Sequence, residues 1–145
     1  MHPPTPMLTP TTPKLKLDWY EIGNVCTTLA AALPGSIEAI CPVGRGGLVP
    51  ASIVAYALRK PVLGLLPVIP MVRGFSDLGP ALLIIDDVAD TGQTFAEIRG
   101  CYPHAVYAAP YVKPAGRVYC DYWVKEEPQD RWLVFPWSPD DDINR

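Results

Sequence analysis

The stretch that decides the fold class is Leu83-Ile84-Ile85-Asp86-Asp87-Val88-Ala89-Asp90-Thr91-Gly92-Gln93-Thr94. Its apolar residues predict a buried strand that carries two adjacent carboxylates to its carboxyl end, and a tight turn then opens a helix. Backbone N–H groups and hydroxyls at a helix start can surround a phosphate, whose negative charge the helix dipole favours. Ligands of α/β proteins bind at this end of the strands. The stretch therefore predicts a phosphate site in an α/β fold.

The two carboxylates, Asp86 and Asp87, would repel a phosphate in the neighbouring turn unless they bind something else. Adjacent Asp side chains can bind Mg²⁺ or accept hydrogen bonds from ribose hydroxyls, and both roles turn the repulsion into attraction. The alternative is an ordinary N-capped helix after an acidic turn. The convergence of so many polar groups at one strand end favours a ligand site.

The rest of the chain continues the alternation of strands and helices. After the N-cap candidate Asp18, apolar residues at helical spacing predict a helix that ends at Pro34-Gly35. Further helices are expected at residues 48–58 and 95–101. Four apolar runs predict strands, at residues 37–43, 62–69, 81–85 and 105–111. Continuous apolar strands between helices predict a parallel sheet with helices on both faces.

The length of 145 residues suits one domain. We expect this domain at residues 15–137, a disordered proline-rich arm at residues 1–14 and an acidic tail at residues 138–145. A ligand for a proline-recognition domain is the alternative for the arm.

The composition restricts which partners the protein can bind and in which cellular compartment it is expected. A formal net charge of −3 argues against a protein that binds nucleic acid without regard to sequence. No apolar stretch approaches the ~18 residues of a membrane span, and the amino terminus lacks the pattern of a signal peptide. The four cysteines lack the spacing of zinc or redox motifs, so we expect reduced thiols. These features predict a cytoplasmic protein without integral membrane association.

A second candidate loop, the glycine loop, consists of Gly44, Arg45, Gly46 and Gly47. It follows the first predicted strand and precedes a helix. Glycines permit positive φ and close approach to a ligand, so the loop offers backbone amides and one guanidinium to a pyrophosphate. Taken alone, the loop is equally well explained as a tight strand-to-helix turn.

The decisive stretch resembles the phosphoribosyl pyrophosphate motif of type I phosphoribosyltransferases. The resemblance implies the fold of that family, with a parallel sheet flanked by helices and a small carboxyl-terminal hood. It also implies that Asp86 and Asp87 hold the ribose hydroxyls, directly or through Mg²⁺. The phosphate loop, which would enclose the 5-phosphate, comprises Asp90, Thr91, Gly92, Gln93 and Thr94. The glycine loop resembles the pyrophosphate loop of the family.

The carboxyl-terminal third resembles the bacterial xanthine-guanine phosphoribosyltransferases, through residues 113–117, 128–133 and 135–137. This implies a purine-salvage enzyme that uses Mg²⁺ and acts as a homo-oligomer, a dimer or a tetramer. Its substrates would be phosphoribosyl pyrophosphate and a 6-oxopurine: guanine, xanthine or hypoxanthine. Lys113 can donate to the 6-oxo group, whereas the amino group of adenine could not accept that bond. Trp132 and Leu133 would sandwich the purine ring. The alternatives are a surface lysine and a core tryptophan.

Asp90 is the candidate catalytic residue. It would act as a general base or as the partner of the imidazole edge of the purine. The alternative is a carboxylate that only closes the loop.

One departure from the family concerns the lid loop at residues 70–80, which is shorter than usual. Arg73 within it is a further candidate ligand of pyrophosphate. A shortened lid suits a second functional hypothesis, a non-catalytic regulatory protein that senses phosphoribosyl pyrophosphate or a nucleotide.

Overall fold

The computed structural model describes residues 12–64, 66 and 76–138. Its helices are α1 (Trp19–Ala32), α2 (Leu48–Leu58) and α3 (Gln93–Arg99), with 3-10 segments at Ser76–Ala81 and Pro114–Tyr119. Its strands are β1 (Lys14–Lys16), β2 (Ala39–Pro42), β3 (Leu82–Ile85), β4 (Val88–Ala89), β5 (Val106–Ala108), β6 (Tyr111–Val112), β7 (Lys125–Glu126) and β8 (Trp132–Val134). All strand pairs within the described residues are parallel. The predicted parallel α/β fold is confirmed.

Two helices begin and end for local reasons that the sequence carries. Asp18 caps α1, because its carboxylate accepts a hydrogen bond of 2.8 Å from the N–H of Glu21. The helix α2 has the predicted limits and ends where Arg59 adopts the left-handed conformation, with φ of 56°. Both helices pack against one face of the sheet and against each other.

The strands form two three-stranded sheets that meet near the site. β2, β3 and β5 form the central sheet in the order β2-β3-β5, and the second sheet has the order β4-β6-β7. The predicted strand at residues 105–111 is divided at Pro110, which has no N–H to donate. The chain passes from the central sheet to the second sheet twice, from β3 to β4 and from β5 to β6, and it returns once, between β4 and β5.

Another difference concerns the predicted strand at residues 62–69. Within the described residues it makes only two isolated parallel bridges, Ile40 to Val62 and Val43 to Leu66. Residues 65 and 67–69 of this run, and most of the shortened lid loop, lie outside the described residues.

The central sheet is buried on both faces, as the continuous apolar runs predict. Leu82 and Ile84 of β3 pack in the cluster that contains α3, whereas Leu83 and Ile85 pack in the cluster that contains α1 and α2. This alternation follows from the two-residue period of a strand. The site therefore stands on a strand that cannot shift without disturbing both halves of the core.

A two-stranded sheet joins the first and last described segments. β1 pairs with β8, and the carbonyl of Pro13 accepts a hydrogen bond of 2.8 Å from the N–H of Trp132. The end of the expected arm, Pro13 and Lys14, therefore belongs to the folded part, because this pairing satisfies its backbone. Residues 1–11 and 139–145 lie outside the described residues. No helix of the described part is long and apolar enough to cross a bilayer.

Candidate active site

A cavity of about 190 Å³ lies between the end of β3 and the first turn of α3. Its wall contains every residue predicted to bind the 5-phosphate and ribose except Asp87. The cavity is lined by Asp86, Val88, Ala89, Asp90, Thr91, Gly92, Gln93, Thr94 and Phe95. The phosphate loop and one of the two carboxylates thus enclose a single space, named the phosphate cavity after the loop.

The phosphate loop takes its shape from Gly92 and Thr91. Gly92 has φ of +83°, and a Cβ at this position would collide with the ring of Tyr119. The hydroxyl of the buried Thr91 accepts a hydrogen bond of 3.2 Å from the N–H of Gln93 and retains its own hydrogen for donation. α3 begins at Gln93, two residues before the predicted start. Gln93 and Thr94 therefore belong to its first turn.

Asp86 and Asp87 are fixed by main-chain donors but face different sides. The N–H of Asp87 donates to Asp86 Oδ1 at 2.9 Å, and the N–H of Val88 donates to Asp87 Oδ1 at 2.7 Å. Asp86 borders the phosphate cavity and also a second cavity of about 380 Å³, which Gly44 lines. The carboxylate of Asp87 lies against Gly46. The pair therefore stands between the phosphate loop and the glycine loop.

Both carboxyl groups lose solvation at this position. Burial raises the pKa of Asp86 well above its usual range, and the charge of Asp87 raises it further. Burial also raises the pKa of Asp87, although hydrogen bonds from its surroundings oppose the rise. A nearby cation would offset this cost. The described residues contain no group of three or more His, Cys, Asp or Glu side chains that could hold a metal.

The glycine loop needs its glycines for close approach. A Cβ on Gly46 would overlap the carboxylate of Asp87, and a Cβ on Gly47 would overlap the carbonyl of Ile85. Neither these two glycines nor Gly44 has a positive φ. Of the two properties that glycine offers, close approach and positive φ, the loop therefore uses close approach. Arg45 is exposed and follows a cis peptide bond.

The purine-side candidates include an ion pair between the buried Lys113 and the half-buried Asp90. Lys113 is 3% exposed, and its Nζ lies 3.2 Å from Asp90 Oδ2. The same Nζ lies 6.0 Å from the centroid of the half-buried Trp132 ring. Adjacent strands hold the pair, because Ala89 of β4 pairs with Val112 of β6. Lys113 is therefore no surface lysine, and Trp132 retains an exposed part that a core tryptophan would lack.

Leu133 departs from its predicted position. Its side chain is buried in the cluster that contains Tyr111 and Phe135. Neighbouring residues of a strand point to opposite faces, so the side chains of Trp132 and Leu133 cannot both face one ligand. This geometry does not favour the expected sandwich of a purine between these two side chains.

Comparison with known proteins identifies the family. The chain is 33% identical over 135 residues to the xanthine-guanine phosphoribosyltransferase of Desulfotalea psychrophila, with 84% of each chain covered. The chain belongs to the purine phosphoribosyltransferases. Its structure is similar to the purine phosphoribosyltransferase of Pyrococcus horikoshii, with a TM-score of 0.76, 27% identity and coverage of 87% of this chain and 95% of the other. No protein-family model matches the sequence.

A second solved structure has the same fold at lower identity. The xanthine-guanine-hypoxanthine phosphoribosyltransferase of Helicobacter pylori gives a TM-score of 0.67 at 18% identity, over 86% of this chain and 91% of that one. As a purine phosphoribosyltransferase, the chain is a glycosyltransferase that transfers ribose phosphate. The family and the class of reaction are as the sequence predicts, and the non-catalytic sensor is not favoured.

Two further residues concern the site of this phosphoribosyltransferase, Arg73 and Gln129. Arg73 lies outside the described residues. Gln129, which the sequence analysis does not single out, donates to Asp90 Oδ1 at 2.8 Å and accepts from the N–H of Ala115 at 2.9 Å. It lies within the segment that resembles the family, but a single loop glutamine shows no periodicity or spacing that would mark it.

Proposed function

We propose that the chain transfers the ribose 5-phosphate unit of phosphoribosyl pyrophosphate to guanine, xanthine or hypoxanthine, and releases pyrophosphate. The observation that carries the proposal is the ion pair of the buried Lys113 and the half-buried Asp90 beside Trp132, next to the phosphate cavity. Lys113 only donates hydrogen bonds, and an ionised Asp90 only accepts them. Together they match a 6-oxo oxygen and the imidazole N–H edge of one purine.

The sugar donor would bind along the end of β3. Thr91, Gly92, Gln93 and Thr94 would surround the 5-phosphate with amide and hydroxyl donors, because they line one cavity. Asp86 and Asp87 would accept hydrogen bonds from the ribose hydroxyls or hold a metal.

Mg²⁺ fits the carboxylate pair of Asp86 and Asp87. Magnesium usually takes one or two protein carboxylates and completes its shell with water and substrate phosphates. Such a site needs no third protein ligand. The raised pKa values of both carboxyl groups mark a place where a cation would be favoured. When bound, the ion would neutralise charge on the departing pyrophosphate.

The pyrophosphate would rest on the glycine loop. Gly44 and Gly46 lie beside Asp86 and Asp87, and Arg45 is exposed where it can turn toward a ligand. Arg73 is retained as a second cationic candidate on the basis of sequence alone. Arginine and backbone amides are both suited to the charge that develops on the leaving group.

The chemical step would begin with the exchange of partners by Lys113 and Asp90. Without substrate the two side chains form an ion pair with each other. A purine stacked on Trp132 would accept a hydrogen bond from Lys113 at its 6-oxo oxygen. Asp90 would then hold the imidazole N–H and accept its proton as the bond from the base to the ribose forms. The electron pair of the breaking bond leaves with pyrophosphate.

A panel of bases tests the proposal. The protein is incubated with Mg²⁺, phosphoribosyl pyrophosphate and guanine, xanthine, hypoxanthine or adenine, and nucleotide and pyrophosphate are measured. We expect equal amounts of both products with at least one 6-oxopurine and little product with adenine. Turnover of adenine alone would contradict the assignment of Lys113.

The location and assembly of the protein are part of the proposal. Four free cysteines, Cys26, Cys41, Cys101 and Cys120, suit the reducing cytoplasm. Exposed aromatic side chains on the outer helices, Tyr20 and Tyr56, support association into a homo-oligomer. Light scattering on the purified protein would measure its mass directly.

A further inference from the structure

The side chain of Gln129 connects three separate segments at the purine side of the site. Its Nε2 donates to Asp90 Oδ1 at 2.8 Å and to the main-chain carbonyl of Asp90 at 3.2 Å. Its Oε1 accepts from the N–H of Ala115 at 2.9 Å. The phosphate loop, the 3-10 segment Pro114–Tyr119 and the approach to β8 are therefore joined by one amide group.

The orientation of this amide follows from its partners. The N–H of Ala115 can only donate, so the oxygen of Gln129 must face it. The NH₂ group must then face Asp90, where both contacts are acceptors. Gln129 thus presents Asp90 with donors that a reversed amide could not supply.

The two oxygens of Asp90 have different partners. Gln129 donates to Oδ1, whereas Lys113 donates to Oδ2 at 3.2 Å. If Lys113 donates its hydrogen bond to the 6-oxo oxygen of a purine, Asp90 loses the donor at Oδ2. The donor at Oδ1 is on a different segment and can stay in place. Oδ2 then becomes available to the imidazole N–H of the base while the carboxylate keeps its plane.

We propose that Gln129 is a positioning residue that holds Asp90 in place when the purine draws Lys113 away. This inference rests on the proposed role of Asp90 toward the base. It predicts that Gln129 affects the transfer step more than the binding of the sugar donor, because its contacts are to Asp90 and not to the rest of the cavity wall.

Two substitutions separate the contacts of Gln129. Gln129→Met keeps the length of the side chain and removes every hydrogen bond. Gln129→Glu keeps an acceptor for the N–H of Ala115 but replaces the donors to Asp90 with a like charge. Asn24→Asp, on the exposed face of α1, makes the same change of charge away from the site.

We expect Gln129→Met and Gln129→Glu to lower kcat with guanine about ten- to a hundredfold, the scale of one lost bond to a charged group. The KM for phosphoribosyl pyrophosphate should change less than threefold, about the spread of a weak contact. Asn24→Asp should change neither value. If Gln129→Met lowers the melting temperature, the kinetic comparison is made with Gln129→Glu instead, since Glu can still accept the hydrogen bond from Ala115.

A double-mutant cycle tests whether Gln129 acts through Asp90. In an Asp90→Asn background, Gln129→Met should lower kcat less than about twofold, because the group that it positions is already lost. Equal effects in both backgrounds would overturn the inference. Full activity of Asp90→Asn would reject the role proposed for Asp90. Loss of activity in Asp90→Asn with an unchanged Gln129→Met would reject only the role of Gln129.

Discussion

The glycine loop follows β2 of the central sheet and the phosphate loop follows β4 of the second sheet, and the two loops are supported very differently. The ring of Tyr119 lies against Gly92, and Lys113 and Gln129 hold Asp90 from two further directions. The glycine loop packs closely on β3 through its main chain but leaves its charged residue, Arg45, exposed. One loop is preorganised by side chains from elsewhere in the fold, whereas the side chain of Arg45 in the other is exposed, so a bound pyrophosphate would have to order it.

The comparison predicts its largest effect at Gly92. Gly92→Ala places a Cβ against Tyr119 at a φ of +83°, so we expect a loss of about 2–4 kcal/mol in stability. A displaced phosphate loop should also lower kcat/KM about a hundredfold or more. The control is Gly23→Ala in α1, where no atom lies within 4 Å and about 0.5–1 kcal/mol should be gained. Thermal unfolding and steady-state assays give both values, and an active, stable Gly92→Ala protein would show that the loop is not tightly supported.

Lys113 should have the next largest effect. Lys113→Ala removes the proposed donor to the 6-oxo group and should lower kcat/KM for 6-oxopurines about ten- to a hundredfold. Adenine gains nothing from that donor, so the preference for 6-oxopurines should narrow through loss of the good substrates. The measurement is kcat/KM for guanine, xanthine, hypoxanthine and adenine, with a melting curve as the control. A mutant that keeps its full preference would place the purine elsewhere.

Asp86 stands between the two loops and should link stability to pH. Its folded-state pKa is raised above the usual 3.8, so the unliganded folded protein binds more protons than the unfolded chain between the two values. Stability should therefore fall as the pH rises through that window and stay lower above it.

The matching substitution is Asp86→Asn. It should flatten this dependence on pH and raise the stability of the unliganded protein at pH 7 by about 1 kcal/mol. It should also weaken Mg²⁺-dependent binding of the sugar donor about tenfold. Urea unfolding at several pH values, together with donor titrations, measures both effects. A less stable Asp86→Asn protein at pH 7 would show that the carboxylate serves the fold.

The smallest effect is expected on the open side of the site. Arg45→Ala should raise the KM for phosphoribosyl pyrophosphate only about three- to tenfold. The conformational entropy that an exposed side chain loses on binding offsets part of its attraction to the ligand. The melting temperature should stay unchanged. Steady-state kinetics at low and high salt would check this, since a screened contact should lose its advantage at high salt. A hundredfold effect would mean that the glycine loop is as well organised as the phosphate loop.

Local signals in the sequence were sufficient to predict much of the fold and the turn that opens α3. The cap at Asp18, the limits of α2 and the phosphate loop each depend on a few consecutive residues. The remaining features depend on contacts between distant segments. The division of the fourth strand at Pro110, the burial of Leu133 and the bridge from Gln129 to Asp90 follow from which sheet or cluster each segment joins. Short-range patterns carry no information about that choice.

The two sides of the proposed site come from different parts of the chain, and the pairing of β1 with β8 brings the later part into place. Every described element that lines the sugar-donor side, from β2 to α3, belongs to one stretch of sequence. Trp132, on the proposed purine side, lies where the two ends of the fold meet, and its N–H donates to the carbonyl of Pro13. The residues from β2 to α3 therefore leave the ribosome before the segment that carries Trp132. We therefore expect substitutions beside Pro13 and Trp132 to affect the proposed purine side more than the cavity between β3 and α3.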